Sequence, residues 1–156
     1  MTDNFTKEKR SQIMSCIRSR DTRPEMIVRK GLHALGYRYR LCRRDLPGKP
    51  DLVLPKYRTV IFVHGCFWHS HEGCSRATKP ESNKEYWAAK LAGNRERDAR
   101  AKAELHQLGW RVLVVWECAC RKTLEPRLMQ LIENFLAGTA QMGEIGGSDA
   151  GEMSAR

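Results

Sequence analysis

The sequence contains no run of about 18 consecutive apolar residues, which excludes a conventional membrane-spanning helix. Its first residues, Met1-Thr2-Asp3-Asn4-Phe5, hold no apolar signal-peptide core. No internal repeat is present, and only the last twenty or so residues are compositionally biased. Acidic residues are scarce beside basic ones, 18 Asp and Glu against 28 Lys and Arg. The resulting net charge of +10 argues for a polyanionic partner, nucleic acid or an anionic membrane surface. The expected setting is cytoplasmic, where thiols stay reduced. Six cysteines there are better read as metal ligands or buried thiols than as disulfides.

What is present suffices for one domain with a proper core, at 156 residues and 41% hydrophobic content. Residues 1–44 hold twelve Lys or Arg and four Asp or Glu, so most of the excess charge is at the front. Ile13, Met14 and Ile17 form one apolar stripe among those basic residues, which suggests a short helix over about residues 6–19. Such a stripe either packs on the domain or, in a basic arm on nucleic acid, offers Met14 and Ile17 as wedges between bases.

Thr22-Arg23-Pro24-Glu25 reads as a helix start, with Thr22 as cap, Pro24 in the first turn and Glu25 at the capping-box position. Ile27, Val28, Leu32 and Leu35 give that helix an apolar face, and Gly36 ends it. Capping alone accounts for Glu25 at this level. Tyr37 to Cys42 alternates with period two, a half-buried strand. Leu52-Val53-Leu54 and Thr59 to His64 are apolar runs joined by a tight connection at Pro55-Lys56-Tyr57-Arg58. As an antiparallel pair they bring Asp51 and His64 together at the open end.

A second capping box is expected at Ser82-Asn83-Lys84-Glu85, opening a helix that runs to Leu108 with a break near Gly93-Asn94. Gly109 is its cap, Asp98 reads as a surface ion-pair partner, and Trp110 to Trp116 is a third core strand. A last helix covers about residues 125–136. Residues 137–156 contain five glycines and few large apolar groups, and are expected to be a disordered tail without chemistry.

The chain is organised around Thr59 to Cys74, where a β-branched run turns at Gly65 into a loop of ligands and aromatics. Cys66, His69, His71 and Cys74 fall within nine residues, and Cys118 and Cys120 follow the third strand. Three thiolates and one imidazole make a closed, structural zinc site. Spacing leaves open Cys118 or Cys120, and His69 or His71. A histidine left outside the zinc set is free for acid–base work, with a carboxylate such as Asp98 to orient it. Phe67 and Trp68 lie between the ligands in a polar loop, where aromatics beside basic residues can stack on bases.

Five segments together resemble the very short patch repair (Vsr) endonucleases: Pro47 to Asp51, Ile61 to His69, Asn94 to Asp98, Leu108 to Leu113 and Val115 to Cys118. The likeness spans about residues 7–136. It implies an α/β fold with a restriction-endonuclease-like core, a mixed central sheet flanked by helices. It implies a basic arm at 1–20, one nuclease domain at 21–136 and a tail at 137–156. The implied activity is a nick 5′ of the thymine in T:G mismatches that arise when 5-methylcytosine deaminates. Mg²⁺, two ions by this reading, would be held by Asp51 and the backbone carbonyl of Val63, and Glu25 would hold metal-bound water. His69 would be the general base, Asp98 its orienting partner and His64 a support for the reacting phosphate or water. Phe67, Trp68 and Trp87 would intercalate from the major groove, and Met14 and Ile17 from the minor groove. The zinc set would be Cys66, His71, Cys74 and Cys118. Here the chain departs from the family pattern, with Ser70 inside a histidine run and one extra residue before Cys74 that Gly73 can absorb.

The partner implied is double-stranded DNA with a T:G mismatch, with no membrane role and association with the nucleoid when bound. Recruitment of mismatch-repair proteins is a further implication that no residue of the sequence carries. A monomer is expected, because one T:G site has no two-fold symmetry. A zinc-stabilised DNA-binding protein without catalysis, and a same-fold nuclease for another DNA structure, are the competing readings. No role is assigned to Cys16, Cys42 or Cys120.

Overall fold

The computed structural model describes residues 22–41, 43–78 and 80–151. Met14, Cys16, Ile17 and Cys42 lie outside the described residues. Helix α1 (Arg23–Ala34) begins as the sequence predicts, with Thr22 Oγ1 accepting the Glu25 N–H at 3.4 Å and Pro24 in the first turn. Gly36 follows it at φ +93°, a left-handed conformation that relieves no side chain and lets the Tyr37 N–H reach back to the Leu32 carbonyl. Val28 and Leu32 are fully buried, whereas Leu35 is left exposed at the cap.

Among the described residues, the strand expected over 37–42 pairs at Arg40–Leu41 alone (β1). Strands β2 (Leu52–Leu54) and β3 (Thr59–His64) form the predicted antiparallel hairpin, in register Leu52 to Ile61 and Leu54 to Thr59. Arg58, at φ +52°, closes its turn. Helix α2 (Lys84–Gln107) carries the chain to β4 (Arg111–Trp116), which lies parallel to β3. Helix α3 (Glu125–Ala137) crosses back to β5 (Met142–Ile145), parallel to β4, and a short helix α4 (Gly147–Gly151) ends the described chain. The five strands form one mixed sheet in the order β1-β2-β3-β4-β5.

The period-two alternation of the strands divides the core. Leu52, Leu54, Ile61, Leu113 and Val115 face α1 and α3, and pack on Val28, Leu32, Leu128 and Ile132. Val53, Val60, Phe62, Val112, Val114 and Trp116 face the other way, toward Leu105 of α2. His64 continues this second set, because it follows Phe62 by two residues. Within α2 only Ala101 and Leu105 are buried, so its N-terminal two-thirds stand clear of the core.

Three expectations fail here. No side chain caps α2: Asn83 enters it in the left-handed region at φ +54°, which takes the Ser82 hydroxyl out of capping range of the first turn. The helix runs unbroken through Gly93-Asn94, since one interior glycine costs only about 1 kcal/mol against an intact ladder. The tail is ordered through residue 151. Its backbone pairs with the open edge of β4, and Arg111 Nε donates to the Ala140 carbonyl at 2.8 Å. Two of its glycines mark close packing: a Cβ on Gly143 would meet Phe135 at 2.9 Å, and one on Gly147 the Cys118 carbonyl oxygen at 2.9 Å.

Candidate active site

The end of β3 delivers His64 into a cleft of about 650 Å³ between the hairpin, α1 and α2. Glu25, Asp51, Val63, His64, His69 and Asp98 all line it, and Arg44, Lys49, Arg97 and Lys102 form a basic margin. Residues from four separate stretches therefore converge on one hollow. The hairpin register explains one contact directly: Asp51, just ahead of β2, lies across from the end of β3, and its Oδ2 accepts the Val63 N–H at 2.7 Å.

Burial pushes the Asp51 carboxyl up to about 7, helped by the neighbouring charge of Glu25, while the Val63 N–H and His69 work the other way. Glu25 is itself only 4% exposed. Two carboxyl groups and a backbone carbonyl, crowded into one partly dry cleft, are the donor set of a hard cation. A divalent ion would relieve the opposition between them, so the residues fit Mg²⁺.

His69 rests on the loop after β3. Its Nδ1 lies 2.6 Å from Asp98 Oδ2 on α2. Burial raises the Asp98 carboxyl, but the hydrogen bond and charge of His69 outweigh it and hold it below the usual range. One turn earlier on the helix, the Asn94 amide donates to the Trp68 carbonyl at 3.0 Å. Residues four apart on α2 thus grip two consecutive residues of the loop. The His64 ring stacks on His69 with centroids 3.8 Å apart and planes within 4°. Burial is the main reason its imidazole is held down to about 3, neutral at any working pH.

Phe67, Trp68 and Trp87 form a cluster with ring centroids 5.1 to 5.8 Å apart, half-buried at the mouth of the loop. Tyr86 adds a fourth ring against Trp87 at 5.3 Å and is 59% exposed.

Behind the cleft, donor atoms of Cys66, His71, Cys74 and Cys118 lie within 4.8 Å of one another. The loop reaches this arrangement through Ser70 at φ +52° and Gly73 at φ +71°, which place the extra residue. Cys66 and Cys120 thiols are both pushed up to about 12, chiefly by burial. Cys120 stands apart from the group and donates to the Trp116 carbonyl. Free thiols this close, with an imidazole, fit a soft or borderline cation such as Zn²⁺. The Gly147 N–H reaches Cys118 Sγ at 3.1 Å, so the supposedly inert tail caps the cluster. The glycine pair Gly146-Gly147 was the only signal for it in the sequence.

His64, His69 and Asp98 also bring donor atoms within 4.8 Å. There the carboxylate already bonds His69, and the lone pairs of two face-to-face imidazoles run side by side instead of converging. This trio suits proton transfer better than it suits cation binding.

The family model described as DNA mismatch endonuclease Vsr matches residues 2–82. The chain is 40% identical over 148 residues to DNA mismatch endonuclease Vsr of Escherichia coli, covering 93% of this chain and 94% of that one. This chain belongs to the Vsr family. Within that family it is 50% identical over 135 residues to the type II nicking enzyme V.XorIIP of Xanthomonas oryzae pv. oryzae, covering 85% of this chain and 98% of that enzyme. It is 46% identical over 140 residues to the type II nicking enzyme V.NmeAIP of Neisseria meningitidis, with 86% and 99% covered. The cleft described above is accordingly the candidate catalytic centre of a Vsr-family DNA endonuclease. No helix among the described residues is long and apolar enough to cross a membrane.

Proposed function

We propose that the protein nicks double-stranded DNA on the 5′ side of the thymine in a T:G mismatch, by Mg²⁺-dependent hydrolysis of one phosphodiester. The observation that carries this reading is the convergence of Glu25, Asp51, Val63, His64, His69 and Asp98 on a single basic-rimmed cleft. Binding alone needs no such gathering of acid–base groups.

In this reading Asp51 and the Val63 carbonyl would hold the Mg²⁺ and Glu25 the water around it, and the metal when bound would offset negative charge developing around the phosphate. His69 takes a proton from the attacking water. Asp98 keeps the His69 ring in place through Nδ1 and stabilises its charged form. His64, kept neutral by burial, supports the phosphate as a dipole and adds no charge. Phe67, Trp68 and Trp87 enter the stack at the mismatch, and Met14 and Ile17 of the N-terminal arm meet them from the minor groove. Opening a weakly paired T:G step costs less than opening a matched one, which favours the mismatch. Cys66, His71, Cys74 and Cys118 hold a structural Zn²⁺ that fixes the loop.

The deciding experiment is nicking of an end-labelled duplex with one central T:G pair, with Mg²⁺ or EDTA, beside a matched duplex and Asp51→Ala. One Mg²⁺-dependent nick 5′ of the thymine, absent from both controls, is the expected result. Cleavage of matched and mismatched duplexes alike would remove the mismatch assignment. Binding without a nick would remove the catalytic one.

A further inference from the structure

Four rings join the Cys/His cluster to the cleft. His71, whose Nδ1 lies 3.5 Å from Cys118 Sγ, stacks on Trp116 with centroids 4.1 Å apart and planes within 9°. Trp116 sets its edge against His64 at 5.4 Å and 71°. His64 stacks on His69, and His69 bonds Asp98. The β3–β4 register makes this contact, since it sets His64 directly beside Trp116 on the face toward α2.

His64 is 5% exposed, and its Nδ1 is buried without a hydrogen-bond partner among the described residues. That side of the ring is therefore oriented by packing alone. The available walls are Phe62, at 5.4 Å and 48°, and Trp116. Among the described residues the His69 ring in turn has one hydrogen bond, to Asp98, and one covered face, against His64. A single hydrogen bond fixes a direction but leaves the ring free to tilt about it, and the stacked neighbour supplies the missing restraint.

We propose that Trp116 is a positioning residue, which transmits the order of the Cys/His cluster through His64 to the plane of the His69 ring. This rests on the reading of His69 as the base. In these terms the cluster does more than hold a loop, because its imidazole is the first of a row of rings that ends at the proton acceptor. Reacting groups out of place by about 1 Å can lose on the order of 100-fold in rate, so a small tilt suffices to be measured.

The test uses the full chain with its cluster loaded. Trp116→Leu is expected to lower kcat on the T:G duplex about tenfold with KM changed less than about twofold, and Trp116→Phe to recover most of that loss. Trp110→Leu is the control, because it removes an equally buried indole, 5% exposed, from the opposite end of the same strand region. It is expected to lower Tm and leave kcat near wild type. A second readout is imidazole NMR of the DNA-free protein at fixed pH. Stripping the cluster with a chelator should move the His64 and His69 ring resonances in the wild type, and move them clearly less in Trp116→Leu. The proposal is overturned by a Trp116→Leu kcat within about twofold of wild type, by equal kcat losses in the two tryptophan variants, or by ring resonances that chelation leaves in place. If the wild type fails to nick T:G duplex, the proposed function falls, and the NMR comparison still decides whether Trp116 couples the two sites.

Discussion

The Asp51 carboxyl sits where burial and Glu25 both oppose its charge, which raises it to about 7. An acid raised in the folded state holds its proton more tightly there than in the unfolded chain. Its contribution to stability is complete below the unfolded value near 3.8 and is lost as pH rises through about 7. The cation-free protein should therefore weaken between pH 5 and 8, on the order of a few kcal/mol at most. Asp51→Asn should abolish that slope, and be more stable than wild type at pH 8, while nicking falls by about 100-fold or more. Urea unfolding at both pH values, with and without Mg²⁺, checks this, and Mg²⁺ should flatten the wild-type slope. A variant no more stable than wild type at pH 8 would sink the account.

At the scale of elements, two glycines of opposite kind give opposite predictions. Gly93 lies inside α2, with nothing among the described residues within 4 Å of a Cβ built on it. Gly93→Ala should stabilise the free protein by about 0.5–1 kcal/mol, read as a rise in the urea midpoint. Gly147 abuts the Cys118 carbonyl and donates its N–H to Cys118 Sγ. Gly147→Val should push α4 off the cluster and speed loss of its metal to a chelator, by about tenfold. Unchanged release kinetics would show that the tail is a bystander. These positions also mark what the sequence could reveal. The Thr22 cap and the β2–β3 hairpin were legible because local pattern and turn chemistry settle them. The meeting of Asp98 with His69 was less so, since 29 residues separate them and the α2 crossover brings them together; residue chemistry offered Asp98 as one candidate, and the family likeness singled it out. Strand β5 was illegible for another reason. The glycines of the tail read as disorder, yet Gly143 and Gly147 serve close approach, and pairing with β4 and burial of Ile145 and Ala150 supply the order.

For the whole molecule, the charge of +10 sets the expected salt response. Binding that neutralises six to ten phosphates weakens by about 10³–10⁵ between 50 and 200 mM salt. Matched and T:G duplexes should lose affinity in parallel, because the proposed stacking by Phe67, Trp68 and Trp87 would release no counterions. Titration of both duplexes by anisotropy at several salt concentrations checks it, and a preference that collapses with salt would show that charge, not stacking, reads the mismatch. One feature of the fold links this reading to timing. Helix α2 is seated on the core only near its C-terminal end, at Ala101 and Leu105, and carries Trp87 at its far end and Asp98 near the seat. A rigid rod with one end clamped is a lever. The eleven residues from Trp87 to Asp98 span about 16 Å of it. In the proposed function, a shift of Trp87 as it enters a base step would be carried along this helix to Asp98, the partner of His69. On that reading, the ring that would meet the mismatch and the carboxylate that would orient the base are two points on one beam.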